Sequence, residues 1–284
     1  MLSRRQLLTL APAALALRPA GAAAGQRVIS VGGSLTEVVY ALGAEGSLVG
    51  VDSTSVYPTT ARALPDVGYM RTLSAEGLLA LAPTLILATE DAGPPAVLRQ
   101  LELAKVPLHI LRSEHRFDGL LARIERVGEL LGRAPQAKAL VERMRTDWAA
   151  GQQRVQQLSQ GGKPPRVLFV LAHSMAQLRI SGEGTAADAM LGYASVRNAL
   201  AGVNGYKQLT PEAAIAAAPD VILTTNEGLQ AAGGIAPLLR APGLALTPAG
   251  RARRVVSFDA LELLGFGPRL PQLLPKLAES LYKA

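Results

Sequence analysis

Apolar and polar positions follow two recurring patterns along this chain. Short, continuous apolar runs, such as those within residues 85–88 and 221–224, are separated by longer amphipathic stretches that start near Ser or Thr and end near Gly or Pro. A short run of consecutive apolar residues is typical of a strand that is buried on both faces of a parallel sheet. The alternation therefore predicts an α/β fold with parallel sheets covered by helices.

One part of this pattern occurs twice. Residues 73–89 and 209–225 each contain a hydroxyl residue, a Glu two positions later, an Ala-Pro pair and an apolar run. Glu76 and Glu212 lie 136 residues apart (212 − 76), and the prolines of the two copies have the same spacing. The copies therefore align without a gap. This repeat predicts two lobes of similar construction.

The starts of several helices are indicated by local sequence signals. Ser74 and Thr210 are predicted N-caps of the repeated helix, because their side-chain oxygens accept hydrogen bonds from unpaired helix N–H groups. Ser34 and Glu37 have the spacing of a capping box at the start of the first predicted helix. These signals predict where helices begin in both lobes.

The spacing of charged and apolar residues predicts how the lobes are connected. We predict a first lobe at residues 25–117, linking helices at 118–163 and a second lobe at 164–284. Residues 136–160 contain no proline and would form a helix of roughly 35 Å, long enough to join the lobes. Such a helix is expected to limit closure of the ligand cleft between the lobes. An ordinary surface helix is the alternative.

Residues 1–24 have the pattern of an export signal. Arg4 and Arg5 precede an apolar run over residues 7–17, and small residues follow it. The run is shorter than the ~20 residues that cross a bilayer, which favours a removable signal peptide over a membrane anchor. The paired arginines leave twin-arginine and general export as alternatives. Because the chain has no cysteine for disulfides or lipid attachment, a free protein in a bacterial periplasm is expected.

Composition argues against several function classes. Loss of the three arginines of the signal would lower the formal net charge from +7 to about +4 (7 − 3). The basic residues are scattered and the few aromatic residues do not interleave with them, so nucleic-acid binding is not indicated. A mildly basic protein suits an anionic small ligand. The sequence has no Gly-x-Ser-x-Gly motif and no cysteine nucleophile, which argues against an exported α/β hydrolase.

Ligands of open parallel sheets bind beyond the carboxyl ends of the strands, and one loop in such a position carries distinctive chemistry. Within residues 56–72, Tyr69 and Arg71 lie two positions apart and can project to the same side. A neighbouring arginine favours the phenolate over the phenol, whose ordinary pKa is ~10, and a phenolate is a good hard ligand for ferric iron. A loop tyrosine that only packs its ring is the alternative.

His173 is a second candidate at the predicted cleft. It follows the predicted strand at residues 166–171, which is the place where the first lobe has its Gly32-Gly33 loop. A neutral imidazole is a common metal ligand, and this position would direct it toward the cleft. A lone histidine that packs against the protein or faces solvent is the alternative interpretation.

Glu76 and Glu212 form a third candidate, because they occupy equivalent positions in the two copies of the repeat. A carboxylate in the first turn of a helix offsets the helix dipole by ~0.3 to 1 kcal/mol, which is one explanation. A matched pair on two similar lobes also suits docking onto a dimeric partner that presents arginines. Both interpretations apply to each residue.

Several segments together resemble the periplasmic binding proteins of bacterial ABC importers for haem, siderophores and cobalamin, and most closely the haem-binding members. The segments are Ile29-Ser-Val-Gly-Gly-Ser-Leu-Thr-Glu37, Leu64-Pro-Asp-Val-Gly-Tyr-Met-Arg-Thr-Leu-Ser-Ala-Glu76 and residues 185–190, 242–250 and 263–267. The resemblance covers nearly the whole mature chain. It implies a monomeric, non-enzymatic carrier with haem as its transported ligand, and a siderophore or cobalamin carrier is the alternative.

The resemblance also implies roles for the candidate residues. Tyr69 corresponds to the axial ligand of the haem iron, with Arg71 hydrogen-bonding its phenolate. His173 corresponds to the ligand of a second iron in members that hold two haems, although its neighbours differ from the family pattern, so one or two haems are expected. Glu76 and Glu212 correspond to the residues that dock onto the permease dimer of the ABC importer. An outer-membrane haem uptake system would supply the ligand.

Overall fold

The computed structural model of the protein describes residues 25–175 and 177–283, so the predicted export signal lies outside the described residues. The strands of these residues alternate with helices, as the sequence predicts. They are β1 Val28–Val31, β2 Leu48–Val51, β3 Leu85–Thr89, β4 Leu108–Leu111, β5 Arg166–Ala172, β6 Leu178–Ser181, β7 Arg197–Asn198, β8 Tyr206–Gln208, β9 Val221–Thr225 and β10 Val255–Phe258.

The helices of the same residues cover the sheets and connect them. They are α1 Gly33–Ala41, α2 Ala75–Ala80, α3 Pro95–Leu103, α4 Phe117–Leu130, α5 Ala134–Ser159, α6 Ala186–Tyr193, α7 Pro211–Ala217, α8 Asn226–Ala231, α9 Ile235–Leu239, α10 Pro248–Ala252, α11 Ala260–Leu264 and α12 Leu270–Lys283. Within the described part of the chain, none of them combines the length and the apolar character needed to cross a bilayer.

The first lobe contains a four-stranded sheet in the order β2-β1-β3-β4. All of its strands are parallel, and Val28 of the central strand β1 is paired with Leu48 on one side and Leu85 on the other. Strand β3 is buried along its whole length. The parallel sheet predicted from the continuous apolar runs is confirmed here.

The second lobe differs from the all-parallel sheet that the sequence predicts. Its sheet has the order β10-β9-β5-β6-β8, and β5, β9 and β10 are parallel. Strands β6 and β8 are instead antiparallel to their neighbours. The reason is the short connection between β5 and β6, because a parallel crossover needs a dozen or more residues. The two-lobed α/β class is confirmed, with one parallel and one mixed sheet.

The internal repeat is reproduced in three dimensions. Strands β3 and β9 occupy equivalent residues, and each follows a short helix, α2 or α7. Ser74 Oγ accepts a hydrogen bond from the N–H of Gly77 (3.4 Å), and Thr210 Oγ1 accepts one from Ala213 (3.2 Å), which confirms both predicted caps. Even the left-handed residue after each helix recurs at the same spacing, at Ala82 and Ala218.

Helix α5 contacts both lobes near its midpoint, through Trp148. The indole stacks on Phe117, at the start of α4, with ring centroids 4.4 Å apart. It also packs edge-on against Tyr193 of α6 in the second lobe, at 4.8 Å. The Tyr193 hydroxyl accepts a hydrogen bond from the N–H of Phe117 (2.9 Å). These contacts fix the long helix relative to both lobes.

Glu37, which was predicted to cap a helix, instead forms a second connection between the lobes. The capping box predicted for Ser34 and Glu37 is wrong, because α1 begins at Gly33 without a side-chain cap. Glu37 is instead buried and accepts two hydrogen bonds from Arg269, at 3.0 Å from Nε and 2.7 Å from Nη2. The Arg269 guanidinium also lies 4.0 Å from the ring centre of Tyr57. Burial raises the pKa of Glu37, an effect that Arg269 opposes.

Candidate functional site

The backbone leading to Tyr69 runs alongside β2. The N–H of Val51 donates to the carbonyl of Pro65 (3.0 Å), and the N–H of Val67 donates to the carbonyl of Val51 (2.9 Å). Gly68 then turns the chain at a φ of 92°, a conformation that favours glycine. Tyr69 therefore emerges beyond the carboxyl end of β2, where open α/β sheets bind their ligands.

A second loop supports Tyr69 from the other side of β1. It comprises residues 89–93, which follow β3, and we call it the β3 loop. The N–H of Gly93 donates to the carbonyl of Met70 (2.8 Å), and the N–H of Leu73 donates to the carbonyl of Gly93 (2.9 Å). The segment that carries Tyr69 is thus bonded to the ends of two strands, although it has no regular secondary structure itself.

The side chains of Tyr69, Arg71 and Asp91 form a hydrogen-bonded series. Arg71 Nη1 donates to the phenol oxygen of Tyr69 and Arg71 Nη2 donates to Asp91 Oδ1, both at 3.2 Å. Tyr69 remains 42% exposed, so its oxygen is accessible to a ligand. Partial burial disfavours the charge of Arg71, but Asp91 and Tyr69 outweigh this effect and raise the pKa of Arg71. Asp91 was not among the residues predicted from the sequence.

His173 lies directly after β5, as predicted. It occupies an exposed bend that leads into β6. The N–H of Gln177 donates to the carbonyl of Ser174 (3.1 Å) in the same connection. His173 and Tyr69 therefore follow the carboxyl ends of strands in different lobes, and the two side chains belong to separate segments.

The second lobe has its own Gly-Tyr pair before the repeated helix, and this pair was not predicted from the sequence. Tyr206 follows Gly205, which has a φ of 69°, just as Tyr69 follows Gly68. The signal was present in the sequence, because Gly205-Tyr206 lies shortly before Thr210 as Gly68-Tyr69 lies before Ser74. A shift of one residue between the two copies conceals it in a gapless alignment.

The surroundings of Tyr206 differ from those of Tyr69. Tyr206 is half-buried, and the guanidinium of Arg179 lies 5.6 Å from its ring centre. Burial raises the pKa of Tyr206, while the hydroxyls of Ser181 and Thr185 and the charges of Arg179 and Arg71 oppose this. One of these charges, Arg71, belongs to the first lobe.

Glu76 and Glu212 lie in the first turns of α2 and α7, and both are exposed. No salt bridge to either carboxylate occurs within residues 25–175 and 177–283. Each therefore sits at the positive end of a helix with its carboxylate available to a partner. Tyr69 lies in the segment preceding α2, outside the helix that carries Glu76.

Comparison with known proteins identifies the family. Residues 28–261 match the family model described as periplasmic binding protein. The chain belongs to the periplasmic binding protein family. Its members are substrate-binding proteins of transport systems, and the two-lobed fold described above is their architecture. The family expected from the sequence segments is confirmed.

Solved structures of this family resemble the chain over almost its whole length. The periplasmic haem-binding protein BhuT, solved in complex with two haems, is 48% identical, with a TM-score of 0.87 over 91% of this chain and 98% of that chain. The periplasmic haem-binding protein RhuT from Roseiflexus sp. RS-1, solved in apo form, is 40% identical, with the same TM-score and coverage.

A curated vitamin B12-binding protein from Yersinia pestis is also similar, over a shorter region. It is 33% identical over 124 residues, which is 44% of this chain and 44% of that protein. The chain thus matches less than half the length of this relative.

Proposed function

We propose that this protein binds haem between its two lobes in the periplasm and delivers it to an ABC importer of the inner membrane. The observation that carries the proposal is the Tyr69–Arg71 pair, which presents an exposed tyrosine beside a permanent cation beyond the carboxyl end of β2. The haem-binding proteins BhuT and RhuT share the fold at substantial identity, which supports haem as the ligand class.

In this proposal Tyr69 is the axial ligand of the haem iron. Arg71 donates a hydrogen bond to the Tyr69 oxygen and so orients the phenol for coordination to ferric iron. One oxygen atom from the protein is enough to bind the iron, because the porphyrin nitrogens already occupy the other main coordination positions. Binding and release require no covalent chemistry, and we propose that the protein acts as a carrier without turnover.

His173 is proposed as the ligand of a second haem iron. BhuT was solved with two haems, and His173 lies on the opposite lobe from Tyr69 in an exposed position. Haem titration of the wild type and of His173→Ala tests this assignment. We expect the endpoint to fall from two haems per protein to one, whereas an endpoint of one haem in both proteins would remove His173 from the site.

Glu76 and Glu212 are proposed to dock the lobes onto the two subunits of the permease dimer. Their exposed carboxylates lie on equivalent helices of the two lobes, and charge-assisted pairing with arginines of the permease would orient a monomeric carrier. The proposed organisation is a signal peptide at 1–24, lobes at 25–117 and 164–284 and linking helices at 118–163. An outer-membrane haem uptake system would supply haem to the periplasm.

The central test is a titration of the mature protein with ferric haem, followed by absorbance. We expect an intense Soret band with high-spin character, and Tyr69→Ala should weaken binding and change the spectrum. His109→Ala is a suitable control, because it removes a potential iron ligand from the outer strand β4. Unchanged affinity and an unchanged spectrum in Tyr69→Ala would contradict the assignment.

Cobalamin is the second candidate ligand, on the basis of the partial match to a vitamin B12-binding protein. A parallel titration with cyanocobalamin separates the two. Haem binding that cobalamin does not displace supports the proposal. Cobalamin binding without a Tyr69-dependent haem spectrum would favour the alternative.

The docking role is tested with purified permease in lipid nanodiscs. The double variant Glu76→Ala/Glu212→Ala should bind haem normally but transfer it more slowly to the permease. Glu45→Ala/Glu102→Ala removes two exposed carboxylates elsewhere on the first lobe and is the matched control. Unimpaired transfer by the first variant would exclude these residues as the docking pair.

A further inference from the structure

The guanidinium of Arg71 is held at two points. Nη1 donates to Tyr69 and Nη2 donates to Asp91 Oδ1, so neighbouring parts of one planar group are both engaged. A guanidinium with a single partner can rotate about that contact, whereas two partners fix both its direction and its plane. The geometry of the Tyr69–Arg71 hydrogen bond therefore depends on the second partner.

Asp91 belongs to the same rigid frame as Tyr69. The N–H of Ala92 donates to the carbonyl of Thr89 (2.9 Å), which closes the β3 loop around Asp91. The same loop is bonded through Gly93 to the backbone on either side of Arg71, as described above. The carboxylate is thus positioned by backbone hydrogen bonds rather than by a flexible surface segment.

The preceding residue shows that proximity in the chain is not sufficient for this contact. Glu90 has the same charge and lies in the same loop, but its Oε1 accepts a hydrogen bond from the N–H of Ser113 (3.0 Å). Of these two adjacent acids, only Asp91 contacts Arg71. Glu90 therefore provides a natural control for the effect of negative charge in the loop.

The ion pair contributes little to the stability of the fold. The Arg71 and Asp91 side chains are 55% and 48% exposed, and pairs at such positions are worth little in double-mutant measurements. The main effect of the Arg71–Asp91 pair is to orient the Arg71 guanidinium. A variant that removes the carboxylate should therefore fold normally, and any change in haem binding would reflect the site itself.

We propose that Asp91 is a positioning residue of the haem site, which holds Arg71 so that Nη1 points at the Tyr69 oxygen. This inference rests on the proposed function, because it requires Tyr69 to be the iron ligand. A hydrogen bond to a metal ligand withdraws electron density from it and tunes the metal. Without Asp91, the phenolate should become a stronger donor to ferric iron, and the Fe(III)/Fe(II) potential should fall.

The test compares Asp91→Ala, Asp91→Asn, Arg71→Ala and Glu90→Ala, each loaded with ferric haem. Asparagine keeps an oxygen that accepts from Nη2 but carries no charge, so it separates positioning from electrostatics. The readouts are the phenolate-to-iron charge-transfer band, the reduction potential, the haem affinity and the thermal unfolding of the haem-free protein. We expect the haem affinity of Asp91→Ala to stay within about fivefold of the wild type, because one exposed charged contact is worth little.

Asp91→Ala should shift the band and the potential in the same direction as Arg71→Ala, by a smaller amount. Asp91→Asn and Glu90→Ala should resemble the wild type, and all variants should unfold near the wild-type temperature. A wild-type spectrum in Asp91→Ala would overturn the inference. Equal shifts in Asp91→Asn and Asp91→Ala would also overturn it, because charge rather than positioning would then be responsible.

Tyr69→Phe separates failure of this inference from failure of the proposed function. If Tyr69→Phe keeps the charge-transfer band, Tyr69 is not the iron ligand, and the inference falls with that assignment. If Tyr69→Phe loses the band while Asp91→Ala remains unchanged, the proposed iron ligand stands and only the role of Asp91 is rejected.

Discussion

Tyr69 and Tyr206 each follow a glycine with a positive φ and precede a helix of the internal repeat, yet the two lobes give them different surroundings. Tyr69 lies outside regular structure, is 42% exposed and accepts a hydrogen bond from Arg71. Tyr206 lies in the edge strand β8, is half-buried and has buried hydroxyl groups nearby.

The difference shows that a Gly-Tyr pair before this helix does not by itself define a ligand. Both phenols lie near arginines, so cationic neighbours alone do not distinguish them. Burial is the deciding factor, because it favours the neutral phenol of Tyr206 and raises its pKa. Tyr69 is instead exposed, and Arg71 donates a hydrogen bond directly to its oxygen. The first lobe therefore presents an exposed tyrosine, which is our proposed iron ligand, whereas the second lobe presents a packed one.

The largest expected effect concerns haem affinity. Tyr69→Phe keeps the ring but removes the oxygen that we propose coordinates the iron. Loss of a residue that merely orients a metal ligand costs about 10- to 100-fold, so loss of the ligand should exceed ~100-fold, or ~2.7 kcal/mol. Titration with ferric haem measures this. Tyr206→Phe is the matched control and should bind within about twofold of the wild type, and a large loss there would reverse the assignment of the two tyrosines.

The next prediction concerns the contact that holds the two lobes in place. Glu37→Ala should lower the free energy of unfolding by about 2 kcal/mol, because it leaves the partly buried Arg269 without its main partner. Urea denaturation, monitored by the fluorescence of Trp148, measures this free energy, because Trp148 contacts both lobes. Glu262→Gln is the control.

The Glu262 carboxylate lies 3.6 Å from Arg269 Nη1, outside hydrogen-bond distance. Its replacement should therefore change stability much less than Glu37→Ala. Small-angle scattering should also show a wider separation of the lobes in Glu37→Ala. An unchanged midpoint and profile would mean that α5 alone fixes the lobes.

A smaller effect is expected in the stability of the haem-free protein. Tyr206→Phe should destabilise the fold by about 1 kcal/mol, because it removes a half-buried hydroxyl whose environment includes the polar groups of Ser181 and Thr185. Tyr69→Phe should be nearly neutral, because its exposed phenol can exchange Arg71 for water. Thermal unfolding of the two variants compares them directly, and the opposite order would contradict the contrast between the two sites.

The smallest effect is a difference at alkaline pH. The folded protein retains the proton of Tyr206 more tightly than the unfolded chain, whose tyrosines titrate near ~10. The stability that protonated Tyr206 contributes to the fold is fully present below about pH 10 and is lost as the pH rises through its pKa in the folded protein. Stability should therefore fall less steeply above pH 10 in Tyr206→Phe than in the wild type. Identical slopes would exclude this contribution.

Much of the fold could be predicted from local sequence signals. The repeat, its caps and its buried strands depend on neighbouring residues, and their predicted positions agree with the structure within a few residues. The capping box at Ser34 and Glu37 could not be judged in this way, because its outcome depended on Arg269, 232 residues away. The antiparallel strand β6 was not predicted, because it is only four residues long and the charged Arg179 interrupts its apolar residues, so it lacks a continuous apolar run.

The candidate site likewise contains some contacts that could be predicted from neighbouring residues and others that depend on distant segments. Tyr69 and Arg71 are two residues apart, so their pairing could be anticipated from the sequence. Asp91 is 20 residues from Arg71 and reaches it only because the β3 loop folds back onto the Tyr69 segment. Tyr206 was overlooked because of the one-residue shift between the lobes, and its burial could not be inferred from the chain.

The sequence by itself thus determined the two-lobed α/β class, the repeated Glu helix and the Tyr-x-Arg pair, since each depends on interactions between residues close in the chain. The tertiary structure alone decided which tyrosine is exposed, which acid holds Arg71 and how Glu37 joins the lobes. Those features depend on burial and on contacts between distant segments. Burial changes the free energy of a charged or polar group only after the chain has folded around it.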